Sequence, residues 1–259
     1  MSINEIQTED YLKKASECLL IVENIIENFG NNFSGIIKEN QKLEYRLYCR
    51  KSTMLMGYFN PCPVEDLVIR NANRGKITSK NRIGKDVIIY YFNNDKISMC
   101  EDSFFTYLYF YKNNESNLQI LGVPKRLSSG AFPQLLLCAY DDNNRIKKFT
   151  VFNAISVKKS MLAFSLFDSD CLLKSETTEQ KYMFEFMEKE YIYSDNRLKE
   201  MKEVKLNSNS PKISNNKYKF AYEGDTYGLY TYNDLNNYVP LIKRKYNEFL
   251  CPPKYSDFV

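Results

Sequence analysis

Histidine does not occur in this chain of 259 residues. Its absence removes Ser-His-Asp and Cys-His nucleophile arrangements, imidazole general-base chemistry and H-E-x-x-H metal sites. Carboxylate, lysine and tyrosine chemistry survive. The carboxylate pairs available for it are Glu101 with Asp102, Asp141 with Asp142, and Asp168 with Asp170. The middle pair falls in an expected hairpin turn, and turns explain the other two equally well. Asp168-x-Asp170 is followed by Cys171 and Leu172, without the glycine and closing glutamate of a calcium loop. Nine glycines leave little material for phosphate-cradling loops, and neither a P-loop nor a G-x-G-x-x-G turn is present. The seven cysteines, at 18, 49, 62, 100, 138, 171 and 251, form no C-x-x-C pair and lie mostly among apolar neighbours, as reduced core thiols do. The reading is therefore no catalytic residue, no metal ligand set and no cofactor.

Two residue sets suit binding. Arg70, Arg74, Lys76, Lys80, Arg82 and Lys85 form a basic run without an acid, a candidate contact for phosphates or an acidic protein surface, with a solvated basic hairpin as the plainer reading. No aromatic residue interleaves with these six, which weighs against a single-stranded nucleic-acid site. Tyr107, Tyr109 and Tyr111 alternate along a strand, so one face of that stripe is expected to be partly exposed, and tyrosine is a preferred interface anchor. Sheet core is the plainer account of that stripe, as of much of the content of 21 tyrosines and 17 phenylalanines. Acids gather elsewhere: residues 1–40 carry Glu5, Glu9, Asp10, Glu17, Glu23, Glu27 and Glu39, and 176–203 are also acid-rich. Such segregation steers charged partners. The overall charge of +4 is too close to neutral to require nucleic acid.

The elements that must position these residues follow from hydrophobic period. Leu12, Ala15, Leu19, Val22, Ile26 and Phe29 recur at spacings of three and four, widened by Tyr11, Cys18 and Ile25, which predicts an amphipathic helix over 8–29. Thr8 is its expected cap and Gly30 its stop. Phe33, Ile36 and Ile37 suggest one further short turn of helix. From Leu43 the period changes to two, and four blocks read as hairpins with Asn/Asp turns: VIIYYF-NND-KISMCED (87–102), LLLCAY-DDNN-RIKKFTVF (135–152), EYIY-SDN-RLKEMKEV (190–204) and YKFAY-EGDT-YGLYTY (218–232). Polar stretches at 112–118 and 205–217 read as exposed loops, with a boundary near 210 conceivable. The expected fold is α+β, a single β-rich domain over 1–259: a helical region at 1–40 packed on a predominantly antiparallel, hairpin-rich sheet over 43–232, and a C-terminal strap over 233–259 containing a short helix. Neither an N-terminal targeting pattern nor an apolar run long enough to span a bilayer is seen, so a cytoplasmic protein without membrane contact is expected.

The N-terminal amphipathic helix, YRLYCR at 45–50, and hairpins of the form YYFNNDKI and YIYSDNRLKEMKEV resemble, over about residues 8–204, the immunity proteins of bacterial polymorphic and contact-dependent toxin systems. The resemblance implies a non-catalytic protein whose partner is one cognate toxin, blocked at its active site. It supplies no motif from which site residues transfer. Inhibitors of nucleases are usually acidic, so a nuclease target would require the acids of 1–40 or 176–203 at the contact. The alternatives are a nucleic-acid-binding module using 70–85, and a histidine-free enzyme or small-ligand binder.

Overall fold

The computed structural model describes residues 3–29, 32–62, 73–79, 87–112, 116–125, 133–143, 145–155, 183–195, 197–207, 210–223, 226–232 and 238–245. Two helices come first, α1 (Ile3–Phe29) and α2 (Phe33–Gln41). Then follow β1 (Arg46–Arg50), β2 (Lys76–Thr78), β3 (Val87–Asn93), β4 (Lys96–Glu101), β5 (Phe105–Lys112), β6 (Asn117–Pro124), β7 (Gln134–Tyr140), β8 (Ile146–Ile155), β9 (Met183–Ser194), β10 (Arg197–Asn207), β11 (Ser210–Glu223), β12 (Thr226–Tyr232) and β13 (Tyr238–Lys245). They form one antiparallel sheet in the order β13-β12-β11-β10-β9-β8-β7-β6-β5-β4-β3-β1-β2. From β3 to β13 each strand lies beside its predecessor, the meander that short Asn/Asp turns permit. The four expected hairpins are β3–β4, β7–β8, β9–β10 and β11–β12. In the first and third, Asn94 and Asp195 take up the positive φ of 53° and 52° that such turns demand.

Three boundaries differ from expectation. The helix starts at Ile3, so Thr8 lies within it and not at its N-terminus. The polar stretch 205–217 continues β10 and β11, which pair from Glu200↔Lys219 to Asn207↔Ser210. A ladder needs only backbone groups, so the polar side chains flanking buried Leu206 do not disfavour it. Likewise Lys112, Asn117 and Leu118 pair within the β5–β6 ladder, and part of the expected strap is strand β13.

Both faces of the central strands are buried, which explains near-continuous apolar runs such as VIIYYF and QLLLC. One face, the helix face, packs Tyr91, Met99, Leu108, Leu121, Leu135, Phe152, Phe186 and Leu206 under Ala15, Cys18, Val22, Ile25, Phe33 and Ile37 of the helices. The other, the loop face, gathers Leu47, Tyr90, Tyr107, Ile120, Cys138, Phe149, Tyr191, Met201 and Phe220 with Met56, Phe59 and Cys62 of the β1–β2 connection. Twist accumulated over so many strands makes a sheet coil. One short segment accordingly touches distant strands: Met56 meets Tyr90 of β3 and Tyr109 of β5, and Cys62 meets Tyr191 of β9.

The buried stripe of α1 is rotated from the one expected. Cys18 and Ile25 lie at its centre with Ala15 and Val22, whereas Leu12 is 42% exposed. Four apolar residues in succession, Leu19 to Val22, exceed what one helix face holds, and Leu20 is left outside at 57% exposure.

Candidate functional site

Of the basic run, the described residues include Arg74 and Lys76; Arg70, Lys80, Arg82 and Lys85 lie outside them. Arg74 is not a surface cation. It is 3% exposed, and its guanidinium donates to the carbonyls of Tyr58 (3.2 Å), Asn60 (2.8 Å) and Cys62 (2.5 Å). The β1–β2 connection carries carbonyls outside any ladder, and a planar five-donor fork collects several at once. Gly75 beside it, at φ +86°, lies so close to the Arg50 carbonyl that a Cβ would stand 2.5 Å from its oxygen. Lys76 opens β2 and is exposed.

The tyrosine stripe likewise faces inward for most of its length. Tyr107 is fully buried, stacked on Phe105 at 5.6 Å and lying over Gly122, where a Cβ would sit 2.8 Å from its ring. An exposed face was expected there because strands alternate; the β1–β2 connection covers that side. Tyr109 is half-buried, its hydroxyl 3.6 Å from Met56 Sδ. Tyr111 alone of the three is exposed, and its hydroxyl donates to the Ile97 carbonyl at 3.0 Å.

The carboxylate pairs serve structure. Glu101 accepts from Tyr91 (2.9 Å) and from Gln41 of α2 (3.1 Å), which ties that helix to the sheet. Asp102 accepts from the amides of Phe104 and Phe105, both at 2.7 Å, and Asp141 holds its turn through Arg145. Asp168 and Asp170 lie outside the described residues. Cys18, Cys49, Cys62, Cys100 and Cys138 are buried free thiols. Burial pushes Cys18 up to about 12 and raises Cys49, Cys100 and Cys138, which disfavours thiolate nucleophiles. Among the described residues no group of three or more cysteines and carboxylates is placed to hold a metal, and no helix is long and apolar enough to cross a membrane.

Among the described residues, Phe104 in the β4–β5 turn, 66% exposed, is one apolar surface open to a partner, and another lies along α1. Between this helix and β5–β9 runs a cleft of about 510 Å³, floored by Ile21, Leu137 and Phe186 and edged by Lys14, Lys112 and Lys148. Within it Glu188 is 5% exposed and held by Lys14 (3.2 Å) and Lys148 (2.7 Å). Burial opposes the charge of Lys14, but Glu188 and Asp10 outweigh it and raise its pKa. Lys14 therefore stays charged, and its contact with Glu188 ties α1 to β9. Beside the cleft, the outward side of α1 presents Leu12 and Leu20, two turns or about 12 Å apart, among the exposed acids Glu9, Asp10, Glu17 and Glu27. These leucines were not foreseen as site residues. The signal was present in the excess of apolar residues over one helix face. Compared with family models, with curated proteins and with solved structures, the chain matches none.

Proposed function

We propose that the protein is a non-catalytic binding module of the immunity type, which neutralises one cognate protein toxin in the cytoplasm by covering its active site. One observation carries this reading: an acid-flanked pair of exposed leucines on α1, beside a cleft able to accept a projecting side chain. Apolar anchors with a charged surround are the usual anatomy of a protein interface. Of the acids of 1–40, all but Glu39 of α2 sit on that same helix, which is the placement that a basic target such as a nuclease requires. Among the described residues, the carboxylates of Glu101, Asp102 and Asp141 are engaged in helix docking and turns.

A small-ligand reading is favoured by the cleft alone, whose volume falls in the range of ligand pockets and whose rim carries three lysines. A nucleic-acid module is supported, among the described residues, only by Lys76, since Arg74 is committed internally.

The test is co-expression of the chain with each toxin-like neighbouring gene of the source cell, followed by growth measurement and affinity capture. Restored growth together with a single retained protein is expected. Growth that stays suppressed with every such gene contradicts the reading, and a captured small anion in place of a protein transfers it to the cleft.

A further inference from the structure

Cys62 is fully buried on the loop face, where its Sγ lies 3.6 Å from Nζ of Lys189 and 3.1 Å from the hydroxyl of Tyr191. Lys189 and Tyr191 are two residues apart on β9 and so project from the same side. Lys189 stands opposite Glu203 of β10 in the ladder, with Nζ 3.6 Å from Oε2. The other oxygen, Oε1, accepts from Asn216 (2.9 Å) and meets Lys205 Nζ at 3.0 Å. The amine is thus as near to the thiol as to its carboxylate, inside a site where Lys189 and Glu203 are each 3% exposed.

We propose that Cys62 and Lys189 are a modification site, joined by a sulfenamide cross-link when the protein meets hydrogen peroxide. Peroxide oxidises the thiol to sulfenic acid and is itself reduced to water. The Lys189 ammonium gives one proton to the Glu203 carboxylate, and its nitrogen attacks the sulfenic sulfur. The S–O bond breaks, and the departing hydroxide takes a second proton from nitrogen and leaves as water. An S–N bond remains, and both charges of the buried ion pair are gone together, so neither is stranded. Tyr191 directs its hydroxyl at the sulfur and so orients it toward the amine. Peroxide is small enough to enter through local opening of the β1–β2 connection, so the reaction is slow compared with that of an exposed thiol. The bond ties that connection to β9, a separation of 127 residues, which constrains the unfolded chain and resists thermal unfolding.

Peptide mass spectrometry of the whole chain, reduced and then treated with excess peroxide, tests this directly. The expected product joins the peptides of Cys62 and Lys189, is lighter by about 2 Da than their sum, and separates again with dithiothreitol. In Lys189→Arg, folded by circular dichroism, the joined peptide is absent and dimedone traps the sulfenic acid of Cys62. Cys62 recovered unmodified, in a disulfide or as a free sulfenic acid in the wild-type chain overturns the proposal. So does a loss of the same mass that persists in Lys189→Arg.

Discussion

The two faces of the sheet bury comparable apolar layers yet treat polar groups differently. On the helix face, charges occupy a seam that opens to water: Glu188 lies under Lys14 and Lys148 at the edge of a cleft. On the loop face they are enclosed, with Lys189 facing Glu203 across a ladder and Arg74 folded into the carbonyls of the covering segment. A seam that opens to water leaves room for a partner, whereas an enclosed network makes the segment over it part of the core. On this contrast rests the proposal that a partner docks on the α1 side.

The largest effects should come from the matched phenylalanines. Phe149 on the loop face and Phe186 on the helix face are 2% and 1% exposed, and truncation of either to alanine should cost about 4 kcal/mol in chemical denaturation. Their consequences for binding should separate. Phe186 supports α1 through Tyr11, at 5.9 Å between ring centroids, so its loss should weaken partner capture beyond the stability change. Next, Arg74→Met should destabilise by about 3 kcal/mol because the carbonyls of Tyr58, Asn60 and Cys62, the last two buried, lose their donor, while partner association rates remain unchanged. A slowed association with unchanged stability would restore Arg74 as a surface contact.

Glu203 gives the pH arm of the comparison. Burial alone would raise its pKa, but hydrogen bonds from Asn216 and Lys205 and the charge of Lys189 prevail and lower it. A carboxylate depressed in the folded state contributes stability in full above its unfolded pKa, about 4.3, and loses it as pH falls through the folded value. Glu203→Gln should cost about 3 kcal/mol near neutral pH and flatten the acid limb of a stability–pH curve. An unaltered limb would show that the pair is not coupled to folding. The smallest effect on stability, within about 0.5 kcal/mol, is expected for Leu12→Glu with Leu20→Glu, which should nonetheless abolish capture of the partner.

The meander was legible because each hairpin carries its own turn chemistry, as Asn94 and Asp195 illustrate. The helix was legible by period but not by rotation: Leu12 and Cys18 both fit an apolar stripe, and only the sheet beneath decides which is buried. Arg74 was read from a run of charge and Tyr107 from alternation, and neither signal reports burial by distant chain. Alternation along one strand cannot report that a distant loop covers the face it predicts to be open. Lys189 and Glu203 come together through the β9–β10 register, where a β-bulge between Leu198 and Glu200 shifts the pairing, and bulges of that kind have no local sequence rule.

Hydrogen–deuterium exchange of the chain, free and with its captured partner, tests the central claim most directly. Protection on binding should concentrate in α1 between Glu9 and Glu27, leaving β2 and the β4–β5 turn at Phe104 unchanged. Protection confined to β2 or to that turn, with α1 exchanging as in the free protein, would contradict it.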